Sequence, residues 1–404
     1  MSKVIVELSE LCDVITKGTT PSNIGAEFTE KGIKYIRSEM LTSAKYISDE
    51  GLLYISEETH KKLKRSQLKP GDILFSMAGV YLGKTAILRE CDTPANTNQA
   101  VALIRIIDEK CNREYVYYYL NLPEVVKSVN SITGQSAQPN INLKQIGNIQ
   151  IMLPERSVQD AVVTILSTYD SLIANNQKQI KLLEEAAQRL YKEWFVDLRF
   201  PGHETTPIVD GVPEGWEQNT INSIIDLQSG FAFKSADFCD SGKYKIVTIK
   251  NVQDGLFEGQ NVSRIDDIPA RMPAHCRLGD GDILLSLTGN VGRVCVVNGQ
   301  NYLLNQRVAK IKSDYTAYAY CLFRSSDMFT AMGNLANGAA QQNLSPIKTG
   351  QIRILIPPVD LLVRFEVAVS VYMKQMLNLN KQIELLQQAR DRLLPKLMSG
   401  EIEV

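Results

Sequence analysis

The sequence predicts an α+β protein: two similar globular domains separated by two long antiparallel helices that form a coiled coil, with internal pseudo-two-fold symmetry. Three observations lead there. The chain repeats itself about halfway along, each copy begins with short β-type runs, and each copy closes on a heptad-patterned helix.

The repeat is visible in four places. Gly71-Asp72-Ile73-Leu74 returns as Gly281-Asp282-Ile283-Leu284, 210 residues on. Asn98-Gln99 returns as Asn305-Gln306 at an offset of 207. Gln138-Pro139-Asn140-Ile141 is echoed by Gln341-Gln342-Asn343-Leu344 at an offset of 203, and Lys178-Gln179-Ile180 by Lys381-Gln382-Ile383 at the same offset. The offset shrinks in steps, as short loop deletions would make it. A unit of about 200 residues is far longer than a solenoid repeat, so this is domain duplication.

The globular parts are expected at 1–153 and 213–356. Their short β-type runs, such as Asp72–Met77, Thr85–Leu88, Val101–Ile107 and Ile283–Leu287, are separated by Gly, Asn and Asp turns. A helical stretch over Glu114–Val129 interrupts them. Helices are expected at 154–200, after Leu153-Pro154, and at 357–404, after Ile356-Pro357-Pro358. Ser157 with Asp160 resembles a capping box at the first start. The Pro/Gly-rich stretch 201–212 reads as a linker.

Steps of four and three along the first helix select Val162, Leu166, Tyr169, Ile173, Asn176, Ile180, Leu183, Ala187, Leu190 and Trp194. The same steps 203 residues later select Phe365, Val369, Tyr372, Met376, Leu379, Ile383, Leu386, Arg390, Leu393 and Leu397. Nine of ten are apolar in each set, which is an a/d seam. Two such helices bury their stripes by pairing; the alternative is that each packs on its own domain. At ~1.5 Å per residue, roughly 33 residues span about 50 Å. Antiparallel pairing would hold the domains at opposite ends of a rod. Asn176 and Arg390 break the seam, either to set register or because they lie at an exposed end. Pro395 is expected to end or kink the second helix and leave Leu397 outside the seam.

Composition excludes several classes. Of 404 residues, 44% are hydrophobic and 22% charged, ordinary values for a globular protein with real cores. No apolar run is long enough for a membrane span, and MSKVIVELSE does not read as a signal peptide. Seven scattered cysteines without C-x-x-C suit free thiols in a reducing cytoplasm. A net charge of −1 means that any nucleic-acid affinity must come from local basic surfaces or from partners. His60, His203 and His275 cannot build duplicated metal sites, so no metal ligand is assigned. No nucleophile elbow, H-E-x-x-H, G-x-G-x-x-G or amino-methylating Asn/Asp-Pro-Pro-aromatic tetrapeptide occurs, and no catalytic residue is assigned. Ala78-Gly79-Val80-Tyr81-Leu82-Gly83-Lys84-Thr85 nearly matches a phosphate-binding loop. That loop requires a following helix, whereas Thr85–Leu88 reads as a strand, so a β-turn is expected.

Taken in order along the chain, these features resemble the specificity subunits of Type I restriction-modification systems. The resemblance covers nearly the whole sequence. It rests on the half-repeat, the two heptad helices, the Gly-Asp-Ile-Leu pair, and the Pro turns before each helix. It also rests on Trp194-Phe195-Val196-Asp197-Leu198-Arg199-Phe200-Pro201-Gly202, Pro213-Glu214-Gly215-Trp216 and Leu394-Pro395-Lys396-Leu397 followed by Ser399-Gly400-Glu401-Ile402.

The resemblance implies two target recognition domains, each reading one half of a bipartite, asymmetric double-stranded DNA site. The helices would act as the ruler between the half-sites. The subunit would itself be non-catalytic and carry no cofactor. Two modification subunits, using S-adenosylmethionine to methylate adenine, would dock on the helices. Two restriction subunits would bring ATP- and magnesium-dependent translocation and cleavage.

Base reading favours Arg, Lys, Asn and Gln. In the first unit the candidates are Lys17, Gly18, Thr19, Thr20, Arg37, Lys84, Gln135, Gln138 and Asn140. In the second they are Lys234, Lys250, Asn251, Asn290, Arg293, Gln341, Gln342 and Asn343. Asn, Gln and Gly in loops also serve simply as turn formers. Asn98-Gln99 and Asn305-Gln306, being shared, are assigned to the fold, to backbone contacts or to partner contacts. Lys61, Lys62, Lys64, Arg65 and Lys69 form a basic cluster that either tracks phosphate or is a solvated helix face. Two competing classes are an enzyme with fused recognition domains, and a coiled-coil scaffold or stand-alone DNA-binding protein without a restriction partner.

Overall fold

The computed structural model describes residues 3–42, 44–49, 51–132, 139–260, 262–336 and 342–404. The chain divides into two compact units, Met1–Leu172 with Leu386–Val404, and Ile173–Leu385. The division therefore cuts across both long helices instead of separating them from the globular parts.

In the first unit, Cys12–Lys17, Val101–Ile106, Ile73–Ser76 and Thr85–Ile87 form an antiparallel sheet in that order. A second sheet orders Leu53–Ile55, Ile33–Ile36, Ala95–Thr97 and Gln67–Leu68, with its middle pair parallel. Val4–Glu7 pairs with Gln150–Leu153. The central run Ile73–Ser76 is apolar because both its faces are covered. Ile73 and Phe75 face the core shared with the helices, while Leu74 faces a second core with Ala86, Val101 and Leu103.

The second unit repeats this strand order. One sheet runs Asp226–Ser229, Val308–Lys312, Ile283–Ser286, Val294–Val296, and the other Ser263–Ile265, Tyr244–Val247, Tyr302–Leu304, Arg277–Leu278. Glu217–Thr220 pairs with Arg353–Ile356. The duplicated Gly-Asp-Ile-Leu motif has a structural cause in both. Asp72 accepts the Lys69 amide at 2.7 Å and a forked pair of bonds from Arg105, both at 2.7 Å. Asp282 accepts the Gly279 amide at 2.9 Å and pairs with Lys310 at 2.7 Å.

The helical stretch expected over Glu114–Val129 is two helices, Arg113–Leu120 and Pro123–Ile132. Pro123 starts the second because its ring suits a first-turn position. The stretch 201–212 is structured rather than a bare linker. It holds a short turn, His203–Thr205, and the strand Ile208–Val209, which pairs with Val212–Pro213. Phe200, Trp216 and Leu361 are buried together beside it.

The long helices span Arg156–Tyr191 and Val359–Ser399. The first continues as a single wider turn, Lys192–Val196. Ser157 lies inside the first turn, so it cannot cap it; Asp160 instead accepts bonds from Asn112 and Arg156. Pro395 does not end the second helix. Leu394, Leu397 and Met398 are buried in the first unit's core, and that packing offsets the cost of about 3 kcal/mol for an interior proline. The helix stops at Gly400, in the left-handed region at φ 75°.

Within each unit the helix segments run antiparallel. In the first, Val162 and Leu166 share the core with Leu394 and Leu397, and Leu393 packs against it. In the second, Ala187 and Tyr191 share the core with Phe365, Val369 and Met376, against which Ile180, Leu183, Leu190 and Tyr372 pack. Ile173 and Leu379 are also buried, and Tyr169, Ile383 and Leu386 half-buried. Neither polar break is at an exposed end. Asn176 is buried and donates to Gln382 at 3.2 Å. Arg390 donates to Asp170 at 2.7 Å.

Asp170 is the centre of a buried charged cluster in the first unit. Its second oxygen accepts the Tyr118 hydroxyl at 2.5 Å and lies 3.9 Å from the buried Lys45 ammonium, which pairs with Glu114 at 2.7 Å. Burial pushes the Tyr118 phenol far above its usual pKa, and the negative Asp170 adds to this, so Tyr118 stays a neutral donor. Burial disfavours the Arg390 charge, but the Asp170 hydrogen bond and carboxylate outweigh it and raise the guanidinium further. The second unit is anchored differently: Arg324 donates to Glu184 at 2.7 Å and Tyr320 donates to the same carboxylate at 3.0 Å.

Asp170→Ala removes the anion shared by buried Lys45 and half-buried Arg390, which keep Glu114 and Asp391 as partners, and is expected to destabilise the first unit by about 3 kcal/mol, read by urea or thermal unfolding. Lys62→Ala, in an exposed pair with Glu58, should leave the melting temperature nearly unchanged. Gly18→Ala tests a close approach. A β-carbon there would lie 1.8 Å from the Thr97 carbonyl oxygen, so a drop in melting temperature is expected. Gly279→Ala, whose added carbon meets nothing within 4 Å, should leave it unchanged.

Candidate nucleic-acid interface

Antiparallel pairing brings alternate strand ends to one rim of each sheet. In the first unit Cys12–Lys17 and Ile73–Ser76 end where Thr85–Ile87 and Val101–Ile106 begin. The parallel pair Ile33–Ile36 and Ala95–Thr97 ends beside it, tied by the Thr97 hydroxyl donating to the Ile36 carbonyl at 2.9 Å. The loops that leave this rim are bonded to one another. The Thr19 amide donates to Thr97 at 3.1 Å, and Thr20 bonds Gln99 through their side chains. The Met77 amide donates to Ala100 at 2.8 Å, Gly79 to Pro139 at 3.0 Å, and Ile141 to Met77 at 2.9 Å.

The rim gathers the described first-unit candidates. Lys17, Lys84 and Asn140 are exposed, and Thr19, Thr20 and Arg37 half-buried. Arg37 pairs with Glu39 at 2.8 Å, while its buried Nε has no partner. Gly18 is a correction: it is buried against Thr97 and Asn98, so it shapes the rim and offers no surface of its own. Gln135 and Gln138 lie outside the described residues.

The second unit builds the same rim. Gly230 makes the equivalent close approach, with its added carbon 2.2 Å from the Asn305 carbonyl oxygen. The Leu344 amide donates to Leu287 at 2.8 Å, and Thr288 bridges Asn343. Lys234, Lys250, Asn290, Gln342 and Asn343 are exposed. Arg293 is half-buried and its guanidinium bonds Gln253. Asn251 is a second correction. It is buried, accepts the Thr248 amide at 2.8 Å and donates to Glu258 at 2.8 Å, which makes it a turn cap. Gln341 lies outside the described residues.

Two rim positions escaped the sequence reading. Arg307 is exposed in the turn after Asn305-Gln306, and Val80 is 90% exposed at a hairpin tip. Arg307 adjoins the repeated Asn305-Gln306, and Val80 lies inside the phosphate-loop look-alike. Asn98 accepts the Ala100 amide and Asn305 the Arg307 amide, so the shared asparagines are turn formers. Of the basic cluster, Lys61 and Lys62 lie on the helix Glu57–Lys62, and all five side chains are exposed.

Exposed lysines lie on both rims. The phosphate-loop look-alike is a hairpin: Ile73–Ser76 pairs antiparallel with Thr85–Ile87 across a short Gly79–Tyr81 turn, and no helix follows Lys84 to receive a phosphate. Among the described residues, no three His, Cys, Asp or Glu side chains are grouped to hold a metal ion. The cysteines are unpaired. Among the described residues no helix is long and apolar enough to cross a membrane.

Comparison with known proteins agrees with this architecture. The family described as the Type I restriction modification DNA specificity domain matches residues 2–185 and 213–361. The chain is 25% identical over 405 residues to the MjaIX specificity subunit of a Type I restriction enzyme from Methanocaldococcus jannaschii, covering 96% of this chain and 91% of that one. It is 26% identical over 340 residues to the MjaVIII specificity subunit from the same organism, covering 80% and 76%. The crystal structure of a Type I restriction-modification S subunit from M. genitalium shares the fold, with a TM-score of 0.53 at 14% identity over 98% of this chain and 96% of that one. With both copies of its repeat matched, this chain belongs to the Type I restriction-modification DNA specificity family.

Proposed function

We propose that this chain is the non-catalytic DNA-reading subunit of a Type I restriction-modification complex, and that each unit reads one half of a bipartite site. The observation that carries the reading is that two units of identical strand order present different side chains on the same rim. Identical frames with unlike surfaces suit two unlike half-sites, so the site is asymmetric. The exposed cations Lys17 and Lys84, and Lys234, Lys250 and Arg307, supply local charge that the net value of −1 does not.

The long helices set the separation of the half-sites and form the docking surface for two modification and two restriction subunits. S-adenosylmethionine, ATP and magnesium are held by those partners, and this chain holds no cofactor.

Mapping N6-methyladenine across the genome, with and without this gene, tests the reading. Deletion is expected to erase one bipartite, non-palindromic methylated motif; unchanged methylation would overturn the proposal. In binding assays with the assembled complex, Lys250→Ala should weaken DNA binding uniformly across sequences. It should also reduce the slope of log affinity against log salt by about 1. Asn251→Ala should instead lower the melting temperature, because it removes a buried cap.

A further inference from the structure

We infer that the residue directly after the tip glycine of one hairpin reads a base in each unit: Val80 through the 5-methyl group of a thymine, Asn290 through the paired acceptor and donor of an adenine. The inference rests on the DNA-reading role proposed above and names the chemistry of the bases.

The two hairpins are each built on a pair of left-handed glycines but differ in length, with three residues between the glycines in the first and two in the second. Gly79 and Gly289 sit at φ 68° and 71°, and Gly83 and Gly292 at φ 80° and 82°. These left-handed positions set the path of both tips. The residue following the first glycine is Val80 in one unit and Asn290 in the other, both exposed. In the first unit the hairpin is held on two sides. Leu82 is buried in the core below, and the Gly79 amide donates to Pro139 at 3.0 Å on the flank. The Gly83 amide donates to Ser76 at 3.0 Å and the Lys84 amide to Tyr81 at 2.9 Å, closing the turn. A side chain 90% exposed on so constrained a loop is presented to solvent by the backbone itself.

Valine is β-branched and stiff, so little conformational freedom is lost when it is covered. Its surface is wholly apolar, and the thymine methyl is the apolar feature of the base edges in the major groove. The exposed cations Lys17 and Lys84 on the same rim suit the phosphates that flank such a groove. Asn290, which follows the first glycine of the shorter hairpin, has the amide donor and acceptor that complement the N7 acceptor and N6 donor of adenine. Corresponding hairpins thus present two chemically opposite side chains.

The test uses the chain assembled with its modification partner. Methylated motifs are mapped for wild type, Val80→Ala and Asn290→Ala, and duplexes carrying uracil in place of each thymine are compared in binding. Uracil lacks only the methyl group and keeps the pairing edge. At one thymine of one half-site, wild type is expected to bind the uracil duplex about fourfold more weakly. V80A should bind the two alike and accept other bases at that position alone. N290A should relax one adenine in the other half-site, by roughly tenfold. Both positions are exposed, so melting temperatures should stay at the wild-type value. If V80A keeps the wild-type motif and uracil is neutral throughout, the tip assignment is overturned while the DNA-reading role stands. A methylated motif that persists when the whole gene is deleted overturns both.

Discussion

An amphipathic helix with one continuous apolar stripe must be covered along its whole length, and most of this fold follows from how that is done twice. Arg156–Tyr191 and Val359–Ser399 are too long for any one small domain to cover. Each core therefore takes one segment of both. Val162 and Leu166 meet Leu394 and Leu397 in the first unit, and Ala187 and Tyr191 meet Phe365 and Val369 in the second. Because the helices contribute side chains to the same cores as the sheets, helix register and sheet packing within each unit are not separable problems.

The two attachments use the same geometry with different chemistry. In the first unit the helices bring Asp170 and Arg390 to Lys45, Glu114 and Tyr118. In the second, Glu184 serves Arg324 and Tyr320, and an aromatic group of Tyr191, Phe195, Tyr318 and Phe365 does much of the remaining packing, with ring centres as close as 4.9 Å. The charges are tolerated there because Asp170 and Glu184 each accept from two side chains, so that neither carboxylate depends on a single partner for its compensation. Each carboxylate fixes its helix against its domain at a defined rotation.

The long-range plan was legible because periodicity survives translation into structure. The seam positions are buried or half-buried without exception, and the repeated Gly-Asp-Ile-Leu marks the same turn twice. What the sequence concealed depends on partners distant in the chain. Lys45 reads as an ordinary surface lysine until Asp170 and Glu114 are beside it. Pro395 reads as a helix stop until the core that holds Leu394 and Leu397 is seen. At the rim, residue type alone could not tell the buried cap Asn251 from the exposed Asn290. Nor did residue type mark Val80 as exposed, since a valine reads as core until its hairpin is seen.

The hairpin glycines separate what holds the rim from what covers it. Gly79, Gly83 and Leu82 in one unit, and Gly289, Gly292 and the core-packed Val291 in the other, set the backbone, while Val80 and Asn290 are exposed. Substitution of those two exposed side chains leaves folding stability nearly untouched. Tolerance of change in this molecule is therefore a matter of exposure: variation is cheap where a side chain meets only solvent.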